Sequence, residues 1–380
     1  MKKVLSCGLM LVLLLLTIIP GTALADDWFE SDPGYFTLMD ENKKELTVMA
    51  RKISVGDEYI SGNNKHYIVT KVDTKKREAY TRLEGDITLP TVSINEYIEV
   101  AKQQNGSILL YCTHNSESYV PTDGEESTEG NGGINDVAQS FADNLEKKGI
   151  RAVFSKEVHD PHDAGAYRRS RQTAIKLIKE NMPVQAVFDI HRDAVPKDHY
   201  VTEVDGQDMS AIRIVLGRRN QNREANEELA YKIKSVADKT FPGLIKDIFI
   251  GKGGYNQELS PRSLLFEMGT HETSKEAAQK SSAYIAEVVS KAMYGGKVKE
   301  HDQKTGEETK DRDNNNNSNK NKDKEIDVKP INQEAESKPE GSGGRSGIIW
   351  LVVIVVIGVV AFLFISMGGR ELRSKFKGGK

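Results

Sequence analysis

Three apolar runs of this 380-residue chain end in side chains that bind metals and move protons. SILLYC (Ser107 to Cys112) leads into Thr113-His114-Asn115-Ser116-Glu117, AVFDI (Ala186 to Ile190) into His191-Arg192-Asp193, and SLLF (Ser263 to Phe266) into Glu267-Met268-Gly269. Two imidazoles and a carboxylate, His114, His191 and Glu117, are a normal ligand set for catalytic zinc, which keeps a fourth position open for water. Glu267 is then left over as the base. Water on zinc has its pKa lowered to about 7, and a nearby carboxylate can take its proton during attack on a polarised carbonyl. The chemistry implied is amide hydrolysis. In a chain with eight histidines the His-x-x-Glu spacing means little alone. Its place at the end of an apolar run gives it weight, because such ends converge on one edge of a sheet. The bland alternative makes His191 a strand cap and Glu117 a solvated loop carboxylate.

The elements that must position these groups follow from periodicity. After Pro90, strands are expected at 107–112, 151–155, 184–190, 211–216 and 263–268. Helices are expected at 137–148, 169–180, 225–240 and 275–293. This alternation predicts an α/β domain over 101–298, a mainly parallel sheet flanked by helices. Before it, LTVMA, EYI, HYIVTKV and EAYTRL alternate β-formers between turn signals and predict a small antiparallel β-module over 26–100, its outer face solvated.

The ends have other chemistries. Lys2-Lys3, the run Val4 to Ile19 and Ala23-Leu24-Ala25 read as a signal peptide over 1–25. Residues 299–346 contain no Phe, Tyr or Trp and read as a disordered polar tether. Ile348 to Met367 is uncharged and long enough to cross a core of roughly 30 Å, which predicts a transmembrane helix over 347–368. The tail, 369–380, is basic, so the positive-inside bias places it in the cytoplasm and the body outside, on the extracytoplasmic side of the cell membrane. Loss of Cys7 with the signal leaves Cys112 alone, so the body must be held by core burial. A net charge of −3 argues against nucleic acid as a partner.

Four segments in order, YCTHNSESYVP (111–121), HDPHDAGAYRRSR (159–171), DIHRDA (189–194) and FEMGTHETSKEAA (266–278), resemble the stage II sporulation protein P family of cell-wall hydrolases. The resemblance spans the α/β domain and includes the β-module. It implies a fold like that of zinc-dependent N-acetylmuramoyl-L-alanine amidases and zinc exopeptidases. The implied activity is cleavage of peptidoglycan between muramic acid and L-Ala during forespore engulfment, alongside endopeptidase activity on cross-linked stems. It also implies Zn2+ as cofactor and stage II sporulation protein D, a lytic transglycosylase, as partner. His114 and His191 match the family's metal ligands and Glu267 its catalytic glutamate.

The chain departs from relatives at Cys112, which stands where many have a first histidine, and in its C-terminal span, since the better-known members are held by an N-terminal one. Cys112 reads as a buried thiol closing an apolar strand, with zinc ligation as the alternative. The carboxylate ligand reads as Glu117, with a residue near Asn135 or Asp136 as the alternative. His159, His162 and Arg168 are candidates to face stem-peptide carboxylates, Arg being suited to bidentate contact. His271 is a candidate to steady an oxyanion or substrate. The alternatives to amidase are a zinc endopeptidase cutting within stems and an inactive wall-binding scaffold.

Overall fold

The computed structural model describes residues 34–92, 106–163, 165–295 and 298–299. The expected signal, membrane span and tail, and the expected tether apart from its first residue, Lys299, lie outside the described residues, among which no helix is long and apolar enough to cross a membrane. The described chain opens with β1 (Phe36–Met39), β2 (Glu45–Met49), β3 (Glu58–Ile60), β4 (Lys65–Asp73), β5 (Glu78–Asp86) and the short β6 (Thr91–Val92). It continues with β7 (Ser107–Tyr111), α1 (Ile134–Lys147), β8 (Arg151–Phe154), α2 (Ala166–Glu180) and β9 (Val184–Asp193). A hairpin, β10 (Val201–Val204) and β11 (Gln207–Ser210), precedes β12 (Ile212–Gly217), α3 (Arg223–Thr240) and β13 (Ile245–Gly251). β14 (Ser263–Thr270), α4 (Lys275–Tyr294) and β15 (Val298–Lys299), which pairs with β6, complete it.

One 11-stranded sheet runs in the order β2-β1-β5-β4-β3-β13-β12-β14-β9-β7-β8. β8, β7, β9 and β14 are mutually parallel, and β12 is antiparallel to β14 but parallel to β13. The fold is thus mixed α/β. The N-terminal strands, expected as an antiparallel module of their own, instead continue this sheet: β3 pairs antiparallel with β13, Tyr59 opposite Phe249, and β1 pairs parallel with β5.

Strand alternation sends side chains to two unlike faces. Ile108, Leu110, Phe188, Ile190, Ile214 and Phe266 bury against α1, α3 and α4. The apolar positions of α1, Ile134, Val137, Ala138, Phe141, Ala142 and Leu145, recur at the three-and-four spacing that makes one helical stripe. On the other face Leu109, Tyr111 and Val187 pack against Ala174 and Leu177 of α2. Over the rest of that face, among the described residues, Tyr167 of α2 is the one helical side chain in the apolar cluster. There the chain of β1 and β2 folds back, and Phe36, Leu38 and Met49 pack on Val215, Phe249 and Leu265. Helices therefore flank both faces as expected, but α2 covers only part of the second, and the apolar alternation of residues 36–49 supplies the rest of its cover.

Candidate active site

The face under the N-terminal strands carries charge. Asp189, His191 and Asp193 alternate along β9, Glu267 lies on β14, Arg213 on β12 and Asp247 on β13, all buried. Register makes them neighbours: Glu267 sits opposite His191 on one side and Arg213 on the other. His114 and Glu117 arrive on the loop after β7. Asp189 anchors that loop by accepting hydrogen bonds from Thr113 N (2.8 Å) and Thr113 Oγ1 (2.6 Å). The far side of the loop is pressed by Gly132, where a Cβ would lie 2.1 Å from Glu117 O, so only glycine permits the approach.

Within this frame Glu117 Oε2 accepts from Arg192 N (2.9 Å), while Oε1 lies 3.5 Å from His191 Nδ1. The His114 ring meets His191 edge-on at 5.2 Å between centroids. Tyr167 of α2 walls the site, edge-on to His114 at 5.6 Å and parallel to His191 at 6.3 Å. His191 Nε2 lies 3.0 Å from Asp189 Oδ1 but off the line a hydrogen bond needs. Glu267 Oε1 accepts from Arg51 Nη2, and Arg51 comes from the segment between β2 and β3. Among the described residues nothing hydrogen-bonds the buried Glu267 Oε2.

The carboxylates are driven apart. Burial pushes both up; for Glu117 the charges of His191, Arg192 and His114 outweigh it and hold the group well below the usual carboxylate range. For Glu267 burial prevails, helped by Asp193 and Glu117 against Arg51 and His191, so its carboxyl is raised. Burial lowers His191, but Asp189 and Glu117 overcome it and raise the ring well above an ordinary histidine. Two carboxyls in one site with opposite shifts suit opposite tasks, one as a fixed anion and one as a proton carrier.

Among the described residues no group of three or more His, Cys, Asp and Glu side chains is gathered closely enough to hold a metal ion. In kind, the donors fit zinc. Two imidazoles and a carboxylate are buried side by side, and among the described residues the buried His191 Nε2 has no hydrogen-bond partner.

His114, Glu117, His191 and Glu267 are therefore brought together. His162 joins them, its ring stacked on His114 at 4.1 Å and 15°. Arg168 is exposed on the first turn of α2. His271 follows β14, its amide donating to Asp193 O (3.1 Å) and its Nε2 3.8 Å from Glu272 Oε1. His159 corrects an expectation. It is turned inward, with Nδ1 2.8 Å from Cys112 O and Nε2 2.8 Å from Thr173 Oγ1, so its ring has no nitrogen left for a stem-peptide carboxylate. Asp136 points away to Lys275 Nζ (2.8 Å), and Asn135 bonds the loop at Asn115, so neither lies beside His191 as Glu117 does. Cys112 packs in the apolar cluster with Leu110 and Ile134. Sequence reasoning overlooked Arg51, Tyr167, Asp189 and Asp193. The pattern Asp-x-His-x-Asp at 189–193 carried a usable signal for two of them, since it puts three polar groups on one strand face.

Fold and site together define a mixed α/β protein with a buried centre of two histidines and two glutamates at the strand ends. Residues 28–290 match the family model described as Stage II sporulation protein P, and the chain belongs to that family. Stage II sporulation protein P of Bacillus subtilis (strain 168) is 29% identical over 245 residues, 59% of this chain and 60% of that protein. The match thus spans about three fifths of the length of that curated relative. Among solved structures the chain is similar to an N-acetylmuramoyl-L-alanine amidase from Clostridium difficile 630, with TM-score 0.32 and 14% identity over 50% of this chain and 95% of that one. It is also similar to the CwlD amidase from Clostridioides difficile in complex with the GerS lipoprotein, with TM-score 0.35 and 13% identity over 50% and 96% of the chains. Overlaps of that size decide nothing about the site, and the architecture stands on its own strand order.

Proposed function

We propose that the chain is a zinc-dependent peptidoglycan hydrolase acting in sporulation, cleaving the amide bond between N-acetylmuramic acid and the L-Ala of the stem peptide. Family membership and one observation support this reading: His114, Glu117, His191 and Glu267, from three separate strand ends, lie buried together. His114, Glu117 and His191 would hold the metal. When bound, zinc supplies polarisation of the carbonyl and a more acidic water. The chain's own groups do the rest. Glu267, with a raised pKa and an uncommitted Oε2, takes a proton from the attacking water and delivers it to the leaving nitrogen. Asp189 holds the His114 loop, and the Tyr167 ring packs against both histidines and fixes their placing. His162 and Arg168 lie on the substrate side. An extracytoplasmic body tethered by the C-terminal span, and a lytic transglycosylase partner, belong to the same proposal.

The experiment is muropeptide analysis with zinc-replete wild type and Glu267→Gln. The mutant is expected to keep its fold and about one zinc, while product release falls by roughly 10²–10⁴-fold. His114→Ala and His191→Ala should each lose the metal, since two remaining ligands hold it poorly. Products with a free L-Ala amine identify the amidase, whereas fragments cut within the stem identify an endopeptidase. A wall-binding scaffold is the second reading, favoured by the ion pair that occupies Glu267 and by the absence, among the described residues, of a gathered donor group. Equal inertness of wild type and mutant on zinc-replete sacculi that both still bind equally well would establish it.

A further inference from the structure

The base proposed above is held by a residue from the other end of the chain. Arg51 leaves β2 two residues after Met49, and its side chain is buried to all but 12%. Its guanidinium donates to Glu267 Oε1 and lies over the Tyr255 ring, 5.4 Å from the centroid. Tyr255 in turn packs on Tyr167, at 5.8 Å, which is the wall of the histidine pair. The backbone beside Arg51 is fixed to the same cluster, for Ala50 N donates to Asp193 Oδ1 at 3.0 Å. Of the two Glu267 oxygens, one is committed to a planar cation clamped by an aromatic face, and the other is buried without a hydrogen-bond partner among the described residues. A carboxylate held this way cannot rotate to exchange its oxygens without breaking the ion pair.

We propose that Arg51 is a positioning residue for the hydrolysis: it clamps Oε1 of Glu267 so that Oε2 is the oxygen that faces the reacting water. The N-terminal strands then deliver part of the catalytic machinery. The inference rests on Glu267 being the base of the function proposed above. Misplacing such a group by about 1 Å costs on the order of 10²-fold in rate.

The test uses the full-length, zinc-replete chain with soluble muropeptides as substrate. Arg51→Met should keep its zinc, lower kcat by roughly 10–10²-fold and leave KM near wild type. Arg51→Lys, which retains the charge but not the planar fork, should fall between. Guanidinium ion at millimolar concentration should restore part of the Arg51→Ala rate but none of the Glu267→Gln rate, an effect that loss of a merely structural residue does not give. A double-mutant cycle of Arg51→Met and Glu267→Gln, read from urea midpoints, reports their coupling without needing activity. Wild-type kcat in Arg51→Met, or additive effects in the cycle, overturns the inference. Wild-type peptide release by Glu267→Gln removes instead the reading of Glu267 on which it rests.

Discussion

At the scale of single residues, burial decides which groups do chemistry and which only pack. Cys112 stands two places before His114, near enough to be a candidate ligand. It closes the apolar series Ile108, Leu110, and burial pushes its thiol well above the ordinary value, with Asp189 and Glu117 adding to the rise. A thiol that stays protonated is a poor metal donor. Cys112→Ser should therefore retain zinc while losing roughly 1–3 kcal/mol of stability through the buried hydroxyl, measured by denaturation beside metal content. Asp57 makes a second case, remote from the site. It is fully buried, accepts from Ser54 N (2.7 Å) and Arg218 Nη2 (3.0 Å), and burial raises its carboxyl to about 6 against those partners. A folded pKa above the unfolded one means that the stabilising contribution is complete below the unfolded value of 3.8 and is lost as pH rises through about 6. Wild type should thus lose up to roughly 3 kcal/mol relative to Asp57→Asn between about pH 4 and pH 7. A difference that stays flat with pH would refute a titrating Asp57.

At the scale of elements, β9 shows how much was legible in the sequence and where reading stopped. Its apolar half, Ala186 to Ile190, identifies a buried strand, and His191 after it marks a site. The strand runs on to Asp193 because its two aspartates are satisfied by partners distant in sequence. Arg213 Nη1 donates to Asp193 Oδ2 (2.8 Å) and to Val48 O (3.0 Å), while Nε and Nη2 grip Asp247 at 2.6 and 2.9 Å. No local pattern announces such pairs. β13 was also unforeseen, although IKDIFIG between Pro242-Gly243 and Gly253-Gly254 has the apolar run and boundaries of a core strand. The β10–β11 hairpin turns on Asp205-Gly206, both at positive φ, a short-range signal that sequence reading passed over. Helices were read within a few residues because each carries its own apolar stripe. The Arg213 network gives the test for this scale. Its guanidinium is wholly buried between two carboxylates, and removing one partner strands the others. Arg213→Met should cost about 3–5 kcal/mol in urea unfolding. A cost below about 1 kcal/mol would show that the buried row does not hold β2 to β12.

For the molecule as a whole, the main consequence is that the sheet has no seam. β3 hydrogen-bonds to β13, β1 and β2 cover the charged face, Ala50 and Val48 bond Asp193 and Arg213, and Arg51 reaches Glu267. A chain that folded as two domains would leave few bonds across the junction. Here removal of the N-terminal strands would expose Val215, Phe249 and Leu265 and leave Arg213, Asp193, Asp247 and Glu267 without their cover. Uncompensated buried charges cost several kcal/mol each, against a total stability of only about 5–15 kcal/mol for a typical domain. A fragment beginning at residue 93 should therefore fail to fold, and a fragment of residues 34–295 should unfold in a single cooperative transition by circular dichroism and by tyrosine fluorescence alike. Two separated transitions, or a fragment from residue 93 that folds and keeps the zinc proposed for its histidines, would make the N-terminal strands an accessory module instead of one wall of the site.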